Sequence, residues 1–180
     1  RRRQRQMCIR DRIHNIPPLY NKSSQILILG SFPSVKSREQ AFFYGHPQNR
    51  FWRVISKILN EKAPQTIEEK KALILNNRIA LWDVIASCDI EGSADSSIKN
   101  VLPNDIGRII SESEIKKIFV NGKTAEKYYK KYAEPVLGIK AVCLPSTSPA
   151  NAGWSLERLC CEWESAVMPC FCGKPSNPQE

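Results

Sequence analysis

The sequence contains none of the short motifs that identify the common nucleotide-binding and hydrolytic sites. It has no Gly-x-x-x-x-Gly-Lys-Ser/Thr and no Gly-x-Gly-x-x-Gly, so no nucleotide cofactor is indicated. It also has no Gly-x-Ser-x-Gly elbow and no His-Glu-x-x-His, which argues against an α/β-hydrolase and a zinc protease. An esterase that uses Ser146 or Ser148 is disfavoured as well, because these serines lack both the elbow and acid–base partners.

Long hydrophobic runs are also missing. No apolar stretch approaches the roughly 20 residues that a membrane helix needs. Residues 1–12 have no apolar core and do not form a signal peptide. We therefore expect a soluble, cytoplasmic protein with no membrane partner.

The cysteines lack the spacing of a disulfide framework or a metal site. Their number, seven, is odd, and the chain is not short. Cys160-Cys161 and Cys170-Phe171-Cys172 do not form the two Cys-x2–4-Cys pairs typical of zinc. We expect reduced thiols, no metal and no cofactor.

Acidic residues are outnumbered by basic ones, and the formal charge of +9 favours a polyanionic partner. Residues 1–12 hold six arginines and one aspartate, so they account for +5 and leave 9 − 5 = +4 for the rest. Their string RQMCIRD resembles translated sequencing-adaptor sequence, and we expect residues 1–12 to be non-native or disordered; the alternative is a basic arm that binds nucleic acid. We expect one domain over residues 13–168 and a flexible tail over 169–180.

Short apolar runs alternate with helical patterns along the chain. Strands are predicted at residues 25–29, 79–84, 117–120 and 140–144. A helix capped by Ser37 is predicted to end near Gly45, and a loop is predicted over 86–99. This alternation is typical of an α/β fold, a four-stranded parallel sheet with helices on both faces.

Polar segments follow three of these strands, at Gly30–Ser34, Trp82–Ser87 and Ser146–Asn151. The carboxyl ends of parallel strands share one edge, so these segments are expected to converge on one cleft. Their hydroxyls, amides, carboxylate and aromatic rings are groups that can read the edge of a nucleobase and stack on its face.

Four ordered stretches, within residues 25–168, resemble the hypoxanthine-DNA glycosylase (DNA-deoxyinosine glycosylase) branch of the uracil-DNA glycosylase superfamily. They read ILILGSFPS, FFYGHPQNRFW, ALWDVIASCDIEGSADSSIKNVLPND and LPSTSPANA. The resemblance implies a three-layer α/β/α sandwich with a central four-stranded parallel sheet, and no metal or cofactor. It implies a monofunctional enzyme that flips deaminated bases out of DNA and hydrolyses the N-glycosidic bond. Hypoxanthine is the first candidate base, with uracil and xanthine as further ones, and we expect a monomer.

The resemblance assigns catalysis to Asn49, the asparagine of His-Pro-x-Asn, whose amide oxygen would orient the attacking water. Many superfamily members position this water with a polar residue in the first motif. Phe32 occupies that place here, and a phenyl ring cannot do so. The structural alternative for Asn49 is a cap of the following helix.

The resemblance also implies a set of base contacts, each with a structural alternative. Phe32 would stack on the flipped base, or else pack in the core. The backbone amides at Gly30 and Ser31 would bind a base carbonyl or its developing charge. Asp83 would accept N1–H of hypoxanthine or N3–H of uracil, or else cap its turn. His46 would donate to a base carbonyl or a phosphate, or else stabilise a turn.

A further set of polar and loop residues is expected to contact the DNA around the flipped nucleotide: Ser34, Ser37, Arg50, Ser146, Thr147, Ser148, Pro149 and Asn151. The uracil-specific branch has a histidine where this chain has Ser146 or Thr147, so the relative activity on uracil and hypoxanthine stays open. Two alternative functions stay open too: a uracil- or mismatch-specific glycosylase of the same fold, and a non-catalytic nucleic-acid-binding module.

Overall fold

Two sheets, one parallel and one antiparallel, form the framework of the computed structural model, which describes residues 12–13, 16–89 and 95–171. The strands within these ranges are β1 (Arg12–Ile13), β2 (Ile26–Gly30), β3 (Ile79–Asp83), β4 (Ile85–Asp89), β5 (Lys99–Pro103), β6 (Lys117–Asn121) and β7 (Ala141–Leu144).

The α-helices within the described ranges are α1 (Val35–Gln40), α2 (Phe51–Ile58), α3 (Ile67–Asn76), α4 (Ile106–Ser111), α5 (Lys123–Tyr128), α6 (Glu134–Leu137) and α7 (Leu156–Val167). A π-helical segment, Tyr129–Ala133, joins α5 to α6. Short 3₁₀ turns occur at Asp95–Ser97 and Met168–Phe171.

The main sheet has four parallel strands in the order β3-β2-β6-β7. Every residue of β2 and of β3 is buried, as expected for short apolar strands covered on both faces. The predicted α/β fold with a four-stranded parallel sheet is confirmed. The chain leaves β2 towards β3 but leaves β6 towards β7, so the direction of connection reverses between β2 and β6. Ligands of open α/β sheets bind at such a reversal, beyond the carboxyl ends of the strands.

The helix that follows the His-Pro-x-Asn motif is anchored by its apolar face. In α2, Phe51 and Ile55 are fully buried one turn apart, while Arg53 and Lys57 are exposed. Helix α7 packs beside it, with the rings of Phe51 and Trp163 in an edge-on contact at 5.9 Å between centroids. This packing fixes the start of α2, and with it the end of the motif that precedes it.

The second sheet corrects the loop predicted over residues 86–99. Strands β4 and β5 pair antiparallel, and β1 pairs with the other edge of β4. The Ser and Asp content of residues 86–99 favoured a loop. However, Ile85 and Cys88 are buried and attach β4 to the core. Residues 90–94 lie outside the described residues. Only Val84 separates β3 from β4, so the small sheet begins directly beside the carboxyl edge of the large one.

The helix predicted to begin after Ser37 starts earlier and ends sooner. Ser34 is the cap, because its hydroxyl accepts the Ser37 N–H at 3.2 Å, and α1 already ends at Gln40. Ala41, at φ 52°, turns the chain out of the helix so that Phe42 and Phe43 enter the core. Burial of these two rings therefore overrides the helical pattern.

The expected ends of the chain fall mostly outside the described residues. Of the basic segment 1–12, only Arg12 is described, as part of β1. Of the expected tail 169–180, residues 169–171 belong to the last 3₁₀ turn, and 172–180 lie outside the described ranges. Within those ranges no helix has both the length and the hydropathy to cross a membrane. The described cysteines are free thiols: Cys88, Cys143, Cys160, Cys161 and Cys170.

Candidate active site

A cleft of about 780 Å³ opens at the carboxyl edge of the parallel sheet. Its volume lies within the roughly 300–1,000 Å³ typical of small-molecule sites. The walls come from the segments that follow all four parallel strands, including Gly30–Ser34 after β2, Asp83 at the end of β3 and the loop 145–151 after β7. The cleft thus lies at the reversal of strand connection, where the fold predicts a ligand site.

Asn49 lies in the wall of this cleft, at the base of α2. Its Oδ1 accepts the backbone N–H of Phe51 at 2.9 Å and the hydroxyl of Thr147 at 2.9 Å. Asn49 therefore stabilises the first turn of α2, as the structural alternative predicted, and also contacts the last motif. The N-terminal boundary residue of α2 is Arg50, which makes no side-chain capping bond.

Thr147 links three parts of the cleft although it is fully buried, at 0% exposure. Its N–H donates to Asn121 Oδ1 at 3.1 Å, and its hydroxyl accepts from Asn121 Nδ2 at 3.0 Å. Its carbonyl accepts the Arg50 N–H at 3.0 Å. The loop after β7 is thereby tied to the end of β6 and to the start of α2.

Arg50 holds the same loop from the other side. Its guanidinium donates to the carbonyl oxygens of Ser148 at 3.1 Å, Asn151 at 3.0 Å and Trp154. A planar guanidinium with several donors suits such a ring of carbonyls. Arg50 does not line the cleft, so the structure gives this expected phosphate contact a role in shaping the loop.

Asp83 and Gly30 lie against each other on adjacent strands. A Cβ at position 30 would be 2.4 Å from Asp83 Oδ1, so only glycine leaves room for this carboxyl. Asp83 is 5% exposed, and burial raises the pKa of its carboxyl to about 7. Its main-chain carbonyl accepts from Asn104 Nδ2 at 2.9 Å. Asp83 also lines the cleft.

Two aromatic residues, Phe32 and Tyr44, line the cleft beside this carboxyl. Phe32 is partly buried against the core, with the Arg38 guanidinium 5.3 Å from its ring centroid. Phe32 therefore packs on the core, as its structural alternative predicted, and it also lines the cleft. Tyr44 stacks on Phe51 at 4.0 Å between centroids. Burial raises the pKa of its hydroxyl, which stays neutral.

The serines expected to bind phosphates support the backbone of their own loops. Ser146 Oγ accepts the Ser148 N–H at 3.1 Å, and Ser148 Oγ accepts the Ala150 N–H at 3.2 Å. Asn151 Nδ2 donates to the Ser146 carbonyl at 3.0 Å. Ser37, which is buried, accepts the Gly45 N–H at 2.9 Å. These bonds hold the backbone of the loops around the cleft in place.

Not every expected residue reaches the cleft. His46 is not among its lining residues, and its Nδ1 accepts the Gln48 N–H at 3.1 Å, the geometry of a structural turn. Pro149 is exposed and also lies outside the lining. The expected residues that do line the cleft are Gly30, Ser31, Phe32, Ser34, Ser37, Asn49, Asp83, Ser146, Thr147, Ser148 and Asn151.

Asn121 was not among the residues predicted from the sequence, although it bonds to Thr147 and so is connected to Asn49. A signal was present, because Asn121-Gly122 follows a buried strand in the same way as the three polar segments that were selected. Gly122, at φ 96°, lets the chain turn there, and a Cβ on it would be 2.9 Å from Ser146 Cβ. Lys123 and Thr124 complete this side of the cleft.

Among the described residues no group of three or more His, Cys, Asp or Glu side chains could hold a metal ion. The polar groups that line the cleft are amides, hydroxyls, backbone N–H groups, the Lys123 ammonium, the Cys143 thiol and one carboxyl, that of Asp83. Such groups suit a neutral heterocycle and its sugar-phosphate better than a divalent cation.

The comparisons with known proteins agree on one family. A family model described as the uracil DNA glycosylase superfamily matches residues 17–166. A curated protein named hypoxanthine DNA glycosylase, from Methanosarcina acetivorans, is 37% identical over 154 residues, which are 83% of this chain and 94% of that protein. A protein of the same name from Methanosarcina barkeri is 35% identical over 141 residues, 75% of this chain and 85% of that one.

A solved structure gives the same answer for the fold. The NMR structure of a candidate uracil DNA glycosylase from Methanosarcina acetivorans superimposes with a TM-score of 0.74 at 33% identity. The match covers 87% of this chain and 96% of that one.

Proposed function

Because the chain belongs to the uracil DNA glycosylase superfamily, we propose that it removes hypoxanthine from deoxyinosine in DNA. The chain is a DNA glycosylase. The observation that carries the choice of base is the cleft itself: Asn49 of the His-Pro-x-Asn motif lines it and bonds to Thr147 of the last motif, in a chain whose curated relatives are named hypoxanthine DNA glycosylases.

The reaction is the hydrolysis of one bond. The C1′–N9 bond breaks, and its electron pair leaves with the base. The oxygen of a water molecule bonds to C1′ as a hydroxyl group, and the second proton of that water ends on the released base. The products are free hypoxanthine and an abasic site. The cleft must therefore hold an extruded nucleotide, place a water at C1′ and stabilise the negative charge on the base.

The residues of the cleft divide these tasks. Asn49 is the proposed catalytic residue, since its side chain lines the cleft and its amide is held there by Thr147 of the last motif. Phe32 offers its ring for stacking, and Gly30 and Ser31 present backbone amides to the base. Asp83, with a pKa near 7, accepts N1–H of hypoxanthine when ionised.

The DNA strand would lie over the loop 146–151 and the start of α1. Ser34, Ser146, Ser148 and Asn151 line the cleft there, and their loops are pre-formed by internal hydrogen bonds. Lys123, with a highly exposed side chain, adds a positive charge at the cleft for a flanking phosphate. Arg50 and Thr147 hold this loop in place through hydrogen bonds on the side away from the DNA.

We further propose that a single copy of residues 13–168 performs the reaction. One chain supplies every wall of the cleft. A cytoplasmic site of action agrees with free thiols at the described cysteines. DNA with deaminated bases is the proposed partner.

The test is a strand-nicking assay on labelled duplexes that contain one inosine, uracil or xanthine, with alkali added to cleave abasic sites. The wild-type protein should nick the inosine duplex, and Asn49→Ala should lower the single-turnover rate by about a hundredfold or more. Faster release of uracil than of hypoxanthine would replace the proposal with a uracil-specific enzyme. Salt-sensitive binding without base release would indicate a non-catalytic module.

A further inference from the structure

Asn49 presents its amide nitrogen, and not its amide oxygen, to the cleft. The backbone N–H of Phe51 is always a donor, so the Asn49 atom 2.9 Å from it must be the oxygen. That oxygen also accepts a hydrogen bond from the Thr147 hydroxyl, and this bond occupies the second lone pair of the Asn49 oxygen. The nitrogen has no hydrogen-bond partner among the described residues, and it is not one of the buried unpartnered atoms. It is therefore open to the cleft.

The hydrogen bonds that lead to this oxygen have only one possible direction. Thr147 N–H must donate, so the Asn121 atom 3.1 Å from it is Oδ1. Asn121 Nδ2 is then the atom that donates to the Thr147 hydroxyl oxygen at 3.0 Å. The hydroxyl proton remains for Asn49 Oδ1. Two backbone N–H groups, those of Phe51 and Thr147, thus set the orientation of both asparagines.

Burial excludes the role that the sequence suggested for Thr147. The residue is 0% exposed, and its hydroxyl is engaged with an asparagine on each side. A DNA phosphate cannot reach it without opening the loop. Such a buried hydroxyl, with donor and acceptor both satisfied, acts by orienting its neighbours.

Building on the proposed function, we propose that Thr147 is a positioning residue that fixes Asn49 with its N–H₂ group in the cleft, so that Asn49 acts on the substrate as a hydrogen-bond donor. Its target is the departing base. When the C1′–N9 bond breaks, the electron pair moves onto the hypoxanthine ring, and a donated N–H stabilises that charge. A water-orienting role would need an acceptor, and both lone pairs of the amide oxygen are already used.

Asn49→Asp separates these two roles. Its Oδ1 keeps both donors, and a second oxygen replaces the N–H₂ group. That oxygen donates only when the carboxyl is protonated and accepts when it is ionised. The single-turnover rate of Asn49→Asp, divided by the wild-type rate at each pH, should therefore rise as pH falls from about 9 to 5. A ratio that rises with pH would show an acceptor and overturn the proposal.

Other titratable or charged groups face this position. Asp83 and Tyr44 lie in the cleft wall, Lys123 also lines the cleft, and His46 and Arg50 belong to the same segment as Asn49. The wild-type protein contains all of them. Dividing by its rate at the same pH removes their shared contribution and leaves the titration of the new carboxyl.

A double-mutant cycle tests the role of Thr147. Thr147→Val keeps the shape and removes the hydroxyl, so the rate should fall by about tenfold, whereas Thr147→Ser should stay within about threefold of the wild type. In an Asn49→Ala background, Thr147→Val should cost less than about threefold, because the group that it positions is gone. If Thr147→Val still lowered the rate tenfold in the Asn49→Ala background, Thr147 would not act through Asn49 and the proposal would be overturned.

Thr66→Val is the matched control for loss of a threonine hydroxyl. Thr66 caps α3 and is not among the residues that line the cleft, so its variant should lose stability but keep the glycosylase rate. If the wild type leaves inosine intact, the proposed function fails. The donor inference is then judged by NMR of the Asn49 side-chain N–H₂ resonance, assigned with Asn49→Ala. Its proton shift should change when an inosine duplex is added, and no change would overturn the inference.

Discussion

The cleft and the start of α3 both depend on hydrogen bonds from polar side chains, but they join residues at very different distances along the chain. At α3, Thr66 and Glu69 cap each other across three positions. In the cleft, the Thr147–Asn49 bond spans 98 positions, and the Arg50–Asn151 bond spans 101. Local bonds stabilise one helix wherever it is placed. Distant bonds form only when strands, loops and helices are already assembled, so the cleft depends on the whole fold.

The largest effect should come from removing the residue that bridges the longest distances. Arg50→Met keeps much of the side-chain stem and deletes all donors to the three loop carbonyls. We expect a loss of about 2 kcal/mol in the free energy of unfolding, because charged hydrogen bonds are lost, and at least a tenfold loss of glycosylase rate. Urea unfolding and single-turnover kinetics measure the two.

Arg50→Lys is the control, because one ammonium cannot serve three carbonyls in a plane and should restore only part of the rate. If Arg50→Met lowered stability but left the glycosylase rate unchanged, the claim that the cleft depends on bonds between distant residues would be contradicted.

The second effect, which per pH unit is smaller than the loss expected from Arg50→Met, comes from the titration of Asp83. In the folded protein Asp83 keeps its proton up to about pH 7, whereas in the unfolded chain it loses the proton near 3.8. Between these values the folded state binds more protons, so the free energy of unfolding falls as pH rises, by up to about 1.4 kcal/mol per pH unit. Above pH 7 this contribution is constant.

Asp83→Asn should abolish this slope. Urea unfolding of both proteins at several pH values between 4 and 8 measures the difference, and groups common to both cancel. Parallel curves for the two proteins would mean that burial in the cleft does not raise the pKa of Asp83.

The smallest effect should come from the local region. Thr66→Val removes one half of the capping box and should cost about 1 kcal/mol of stability. Thermal unfolding gives the stability. A marked fall in the glycosylase rate would contradict the separation between the two regions, because α3 contributes no residue to the cleft.

This contrast explains what could be predicted from the sequence. The four strands of the parallel sheet depend on neighbouring residues, and the structure contains them. The family indicated by the four motifs is confirmed by a family model over residues 17–166. Convergence of polar loops on one edge also followed from a parallel sheet alone.

The sequence could not reveal which polar groups use each other. Asn121 and Thr147 are far apart in the chain, and no local pattern pairs them. The same holds for Arg50, whose charge suggested a phosphate contact although its partners are carbonyl oxygens. The second sheet was missed because its burial depends on contacts of Ile85 and Cys88 with the core, which override a composition typical of a loop.

Gly30 and Asp83 lie so close that the size of the side chain at one position limits the size allowed at the other. Any side chain at 30 would displace the carboxyl at 83, so relatives that carry alanine or serine at the first position should carry a different or reoriented residue at the second. The identity of the pair would then record how a lineage changed the base that its pocket accepts.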